Sequence, residues 1–68
     1  MKTIGRIIKE TRKILNITQA KLAVYSGVSA KFLSQLENDK NTIQLDKLYK
    51  VLDTLNLTLI VVNKKEVK

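Results

Sequence analysis

Neither a cysteine nor a histidine occurs in this chain of 68 residues, so packing alone must hold it together. A domain this short buries only about 60% of the surface its unfolded chain exposes, and disulfides or metals commonly make up the difference. Composition removes those aids here. A disulfide framework, a thiol nucleophile, a cysteine- or histidine-ligated zinc site and a histidine acid–base pair are all excluded. What remains is apolar burial, and 44% of the residues are hydrophobic, with Leu, Ile and Val used heavily. A core that rich in so short a chain points to a compact helical domain, a stable oligomer, or both.

The charge is lopsided. Thirteen Lys and Arg face six Asp and Glu, a formal net charge of +7. Such a surface favours a polyanionic partner: nucleic acid first, an anionic membrane second, an acidic protein third. The plain alternative is charge that only keeps the chain soluble. The longest apolar run, Leu59-Ile60-Val61-Val62, is far short of the ~20 residues a membrane span needs. Met1-Lys2-Thr3 leads into a charged, periodic segment and not into a secretory signal. A soluble, cytoplasmic protein with no membrane partner is therefore expected.

Periodicity divides the chain into five segments. From about Thr3 to Ile14 or Leu15, Ile4, Ile7, Ile8, Thr11 and Leu15 fall at helical spacing, with Arg6, Lys9, Glu10 and Lys13 on the wetter side. Asn16 tolerates a left-handed conformation and is expected to end this helix. Thr18 predicts an N-cap for a short helix opening at Gln19. Ala20, Ala23 and Val24 in that helix are small enough for a neighbour to approach closely. Gly27 sits where a C′ residue needs positive φ, and Ser29 predicts the next cap, for a helix through Glu37. Leu33 and Leu36 face inward there. Phe32 is open between core packing and stacking on sugar or a thymine methyl. Asn38-Asp39-Lys40-Asn41 reads as a loop. A fourth helix is predicted from Gln44 to Asn56 with the stripe Leu45, Leu48, Val51, Leu52, Leu55. Thr42 is its expected cap if it starts at Ile43.

The tail changes period. Leu57-Thr58-Leu59-Ile60-Val61-Val62-Asn63 is apolar and β-branched, which predicts a strand, followed by a basic tail over 64–68. No other segment reads as a strand, and burying unpaired backbone groups is costly. Pairing with a second copy, antiparallel across a two-fold axis, resolves this, with Leu57, Leu59, Ile60, Val61 and Val62 as dimerisation residues. The alternatives are a fifth helix or ordered extension packed on its own domain, and a strand donated to a different partner.

The centre of the chain carries the functional signal. Two short helices meet at Ser26-Gly27-Val28. Ala23 is the small residue where they cross, Gly27 allows the turn, and Val28, Leu33 and Leu36 plug the angle between them. That ordered set is the arrangement a helix-turn-helix demands, with the second helix entering the major groove by its N-terminal end.

The run Leu15-Asn16-Ile17-Thr18-Gln19-Ala20-Lys21-Leu22-Ala23, then Ser26-Gly27-Val28-Ser29, then Phe32-Leu33-Ser34-Gln35-Leu36-Glu37-Asn38-Asp39-Lys40 resembles the Cro/C1-type, or Xre-type, helix-turn-helix repressors. The resemblance covers roughly Ile4 to Leu55. Within the family, the continuation Thr42-Ile43-Gln44-Leu45-Asp46-Lys47-Leu48, Val51-Leu52, Leu55-Asn56-Leu57 and the short terminal strand are similar to HipB-like antitoxins of kinase-type toxin–antitoxin operons.

This resemblance implies a mainly α, lambda-repressor-like domain over 1–56, of four to five helices, a dimerisation strand over 57–63, and a homodimer. It implies base contacts from Ala30, Lys31, Ser34 and Gln35. Lys suits guanine acceptors, Gln suits adenine N6 and N7, and Ala offers only apolar contact. It implies backbone contacts from Arg6, Lys9, Gln19, Ser29, Asn38 and Lys40. Arg12 and Glu37 match a family ion pair between the first and third helices and read as architectural. The function implied is a repressor of an inverted-repeat operator, autoregulating its operon as an antitoxin. A HipA-like Ser/Thr kinase toxin, or toxin subunits, would be its protein partner.

Two other classes stand beside this reading. One is a protein-interaction module with the same fold, or a stand-alone phage- or plasmid-type regulator without a toxin. The other is an enzyme, and nothing supports it. Asp46 and Asp53 lie seven apart on a solvated face, and no glycine-rich phosphate loop or paired nucleophile occurs. No cofactor and no metal site is expected.

Overall fold

The computed structural model describes residues 2–41 and 43–66. Among these residues the chain forms four α-helices, α1 Ile4–Ile14, α2 Gln19–Ser26, α3 Ala30–Glu37 and α4 Leu45–Thr54, then a 3₁₀ turn at Lys64–Glu66. No described helix is long and apolar enough to cross a membrane.

Three helices begin on a hydroxyl. Thr3, Thr18 and Ser29 have extended backbones, and their side chains accept from the N–H of Arg6, Lys21 and Phe32 at 3.1, 3.1 and 3.0 Å. Each cap satisfies one of the amides that a helix start leaves without a partner. The fourth helix differs. Gln44 takes the cap position without a side-chain bond, one residue later than the predicted start. The expected cap Thr42 lies outside the described residues, as do the last two residues of the basic tail.

All four helices end the same way. Asn16, Gly27, Asp39 and Asn56 have φ of 59°, 71°, 59° and 58°. The next residue then donates back across the last turn: Ile17 to Arg12 at 3.2 Å, Val28 to Ala23 at 3.0 Å, Lys40 to Gln35 at 3.0 Å and Leu57 to Leu52 at 2.8 Å. This is the Schellman ending, in which a left-handed residue turns the chain and the following N–H satisfies an orphan carbonyl. Ile17, Val28 and Leu57 then pack on the core. Lys40 occupies the equivalent place after α3 and stays exposed.

The core is Ile8 from α1, Leu22 and Ala23 from α2, Leu33 and Leu36 from α3, and Leu48, Val51, Leu52 and Leu55 from α4 and its end. Here α2 packs on both α3 and α4, and α1 on α3. Full burial of each large aliphatic contributes about 1.5–3 kcal/mol. Ser26 is buried and donates to the Thr54 hydroxyl at 3.1 Å, and Thr54 donates to the Lys50 carbonyl at 2.9 Å, fastening α2 to α4.

The structure corrects several expectations about faces. Of Ala20, Ala23 and Val24, only Ala23 is buried. Leu15 and Leu45, expected in apolar stripes, are 52% and 59% exposed, because each lies at a helix end beyond the packed turns. The tail is not a paired strand in the single chain. Leu57 and Leu59 pack against the core, whereas Ile60, Val61 and Val62 are exposed. A strand needs a hydrogen-bonding neighbour, and no described residue of this chain supplies one.

Candidate nucleic-acid interface

The turn between α2 and α3 sets the angle of the site. Gly27 supplies the left-handed residue, Val28 drops onto the core, and Ser29 starts α3 one residue later. Leu33, Leu36 and Glu37 define the buried side of α3. With residues ~100° apart around a helix, the opposite side falls on Lys31, Ser34, Gln35 and Asn38. Lys31 and Asn38 are exposed and Ser34 and Gln35 half-buried. Ala30 is exposed in the first turn, and the Ser29 hydroxyl, already accepting from Phe32, keeps its own proton free to donate.

An open concavity lies beside this face, lined by Ser29, Lys31, Phe32, Gln35, Gln44 and Lys47. Phe32 is half-buried and packs against the core, and the Lys47 ammonium lies 5.8 Å from its ring centre. That is within the range of a cation–π contact. Gln44 and Lys47 were not singled out from the sequence. Their signal is a polar i, i+3 pair at the start of α4, the helix that follows α3.

Behind α3 the polar side chains are fully partnered. Arg12 donates to both carboxylate oxygens of Glu37, at 2.8 and 3.0 Å, and to the Ile17 carbonyl at 3.0 Å. The side chains of Arg12 and Glu37 are 11% and 2% exposed. Gln19 adds its amide to Glu37 at 3.2 Å. A carboxylate only accepts, so Gln19 presents its NH₂ inward. The network joins α1, the start of α2 and the end of α3. It also brings Gln19 against α3.

The loop after α3 is anchored on α1. Asp39 accepts from the Thr3 hydroxyl at 2.8 Å, which sets a carboxylate at the positive end of that helix. Gly5 makes the approach possible. A Cβ there would drive into the Leu36 carbonyl and the Asp39 carboxylate. Asn38 and Lys40 flank Asp39 and remain exposed.

A second groove is lined by Arg6, Lys9, Glu10, Lys13, Glu37 and Asp39. Lys9 and Lys13 are exposed along it. Arg6 is already paired with Glu10 at 3.3 Å, and Lys2 reaches the same carboxylate at 2.8 Å. The hydrogen bond from Lys2, then its charge and those of Arg6, hold the Glu10 carboxyl below its ordinary value. Only some of the sequence-expected contacts gather in the two concavities, and Gln19 lies in neither. Ser29, Lys31 and Gln35 share the α3 concavity, Arg6 and Lys9 share the α1 groove, and Ala30, Ser34, Asn38 and Lys40 line neither. Among the described residues no group of acidic side chains could hold a metal.

The helix-turn-helix family model matches residues 8–62. The chain belongs to the helix-turn-helix family. It is a domain of the Cro/C1, or Xre, type, related to HipB-like antitoxins. It is 38% identical over 56 residues to the uncharacterized HTH-type transcriptional regulator y4mF of Sinorhizobium fredii, covering 82% of this chain and 74% of that protein. Among solved structures, the chain of a HipB variant in a complex with an O2 20-mer superposes with a TM-score of 0.78 at 26% identity, covering 90% of this chain and 85% of that one. A chain of the HipA-HipB-O2-O3 complex superposes at 0.77 with 25% identity, covering 88% and 84%.

Proposed function

We propose that this chain is a sequence-specific DNA-binding repressor and the antitoxin of a HipBA-like toxin–antitoxin system, acting in the cytoplasm as a homodimer. The observation that carries it is the division of α3. One side is buried through Leu33, Leu36 and Glu37, and the other offers Lys31, Ser34, Gln35 and Asn38 to a partner. Similar chains occur in HipB complexes with an O2 20-mer and with HipA, which supports operator DNA and a HipA-like kinase toxin as the two kinds of partner.

In this reading residues 1–56 are the DNA-binding domain, 57–63 the dimerisation strand and 64–68 a basic tail. Lys31 and Gln35 read base edges, with Ser34 and Ala30 beside them. Ser29, Asn38, Lys40, Lys9 and Arg6 hold phosphates, Gln19 does so through the backbone amides at the start of α2 while its side chain stays on Glu37, and Arg6 exchanges its Glu10 partner for one. Phosphate contacts set position and base contacts set sequence. Two recognition helices related by a two-fold axis meet half-sites ~34 Å apart, so the operator is an inverted repeat. Occupying it represses the operon, and the tail strand pairs antiparallel with its copy through Leu57, Leu59, Ile60, Val61 and Val62.

The test is titration of the protein with its own upstream DNA and with random duplex at several salt concentrations. A repressor prefers the upstream duplex, and its affinity falls steeply with salt as counterions are released. Equal affinity for both duplexes, or no salt slope, overturns the reading in favour of an interaction module.

A further inference from the structure

The two concavities differ in charge. The one beside α3 is lined by Lys31 and Lys47 and, among the described residues, by no acid. The groove on α1 sets Arg6, Lys9 and Lys13 against Glu10, Glu37 and Asp39, so its formal charges cancel. Half of the six acidic residues of a strongly basic chain are gathered there. Two of these carboxylates hold the fold. Glu37 accepts from Arg12 and Gln19, and Asp39 accepts from Thr3. Glu10 has no such duty. One of its oxygens takes Lys2 at 2.8 Å and the other takes Arg6 at 3.3 Å. Both cations are solvated, with side chains 59% and 67% exposed.

We propose that Glu10 is a built-in competitor of DNA phosphate. It holds Arg6 in the free protein, so binding must first break this pair, and operator affinity is set below what the basic surface alone would give. The inference rests on the repressor reading above and adds a residue that touches no DNA yet limits how tightly DNA is held.

Three features suit a competitor better than a strut. The pair is exposed, so it is weak and exchanges readily. Carboxylate and phosphate present similar oxygens to a guanidinium, so a phosphate satisfies the same donors. Lys2 stays on the second oxygen when Arg6 leaves, so the carboxylate keeps a counter-ion throughout. A repressor of its own operon has a use for such a brake, because lower affinity mostly means faster release.

The test is a titration of the full chain with its upstream DNA and with random duplex at several salt concentrations. Glu10→Gln keeps the shape and removes the competing charge. It is expected to tighten binding to the upstream duplex about 3- to 5-fold at low salt, with the gain shrinking as salt screens the pair. Asp53→Asn makes the same change in net charge at an exposed site on α4 that lines neither concavity. It is expected to change affinity less than about 1.5-fold.

The decisive arm is Arg6→Gln, made in the wild type and in Glu10→Gln. Competition makes its loss larger in the Glu10→Gln background, by about 3- to 5-fold, because Arg6 there has no carboxylate to give up. Equal losses in the two backgrounds overturn the proposal, since Glu10 then acts without Arg6. Equal tightening by Glu10→Gln and Asp53→Asn also overturns it, in favour of net charge. Should Glu10→Gln fail to fold, Glu10→Ala takes its place in both arms, and failure of both to fold overturns the proposal by making the pair structural. A wild-type chain that binds both duplexes alike overturns the repressor reading itself. A wild-type preference for the upstream duplex, with affinity unchanged in Glu10→Gln, overturns only the competition.

Discussion

The helical body and the tail treat their side chains in opposite ways. In the body, among the described residues, no buried side-chain polar atom lacks a hydrogen-bond partner. Arg12, Gln19 and Glu37 satisfy one another across three helices. In the tail, three consecutive large aliphatics, Ile60, Val61 and Val62, face solvent at 73%, 91% and 62% exposure. Burial of each would contribute about 1.5–3 kcal/mol, and the single chain does not use it. The contrast separates intramolecular stability from stability that depends on a partner. Substitutions in the body should lower stability at any protein concentration, and those in the tail should act through association.

The largest effect should come from the buried ion pair. Glu37→Ala leaves the Arg12 guanidinium and the Gln19 amide without their acceptor and is expected to cost about 3–5 kcal/mol in urea unfolding. A loss below about 1 kcal/mol would place the stability of the body elsewhere. Gly5→Ala comes next, at about 1–3 kcal/mol, because its methyl group meets a backbone carbonyl that cannot move aside without shifting α3. Retention of full stability would mean that the two helices slide apart at little cost.

The proposed DNA face belongs to neither category. Lys31→Ala and Gln35→Ala should leave unfolding nearly unchanged and lose about 1–3 kcal/mol on the cognate site only. Equal losses on random duplex would reassign these side chains to the backbone. The cap at the start of α3 is a smaller lever on the body. Ser29→Ala removes the acceptor of the Phe32 N–H and should cost ~1 kcal/mol of stability. A calorimetric scan that does not move would contradict the cap.

The smallest effect is at Glu10. Its folded carboxyl is held below the ordinary value of 4.5 by Lys2 and then Arg6. The ionised form is thus favoured by folding, so this contribution is full above the unfolded value and is lost as pH falls through the folded one. Glu10→Gln should flatten a small acid limb of the stability curve below about pH 4.5, with a slight loss of stability that is full at neutral pH and vanishes in acid. An unaltered acid limb would show that the exposed pair contributes nothing.

Much of this was legible from residue types. Thr18, Ser29, Asn16 and Gly27 marked helix ends, since caps and left-handed turns are local chemistry. Asp39 escaped notice because its left-handed φ and its bond to Thr3 join positions 36 residues apart. Gly5 carries no local signal in the sequence. Its need for space arises only from the chain crossing it. Gln44 and Lys47 joined the site only when α4 came to rest beside Phe32. On the proposed DNA face, the resemblance named the residue types, and the burial of Leu33, Leu36 and Glu37 leaves them on the opposite side of α3.

The sequence by itself determined the four helices, the corner between the second and third, the basic surface and the need for a core without staples. These rest on local propensity, periodicity and composition, which act within a few residues. Tertiary structure alone decided which apolar residues the core would take and which it would leave. Leu57 and Leu59 went in, and Ile60, Val61 and Val62 stayed out. All five are β-prone or aliphatic and similar in sequence. Their fates divide because the body ends in space at Leu59, and only geometry sets where a surface ends.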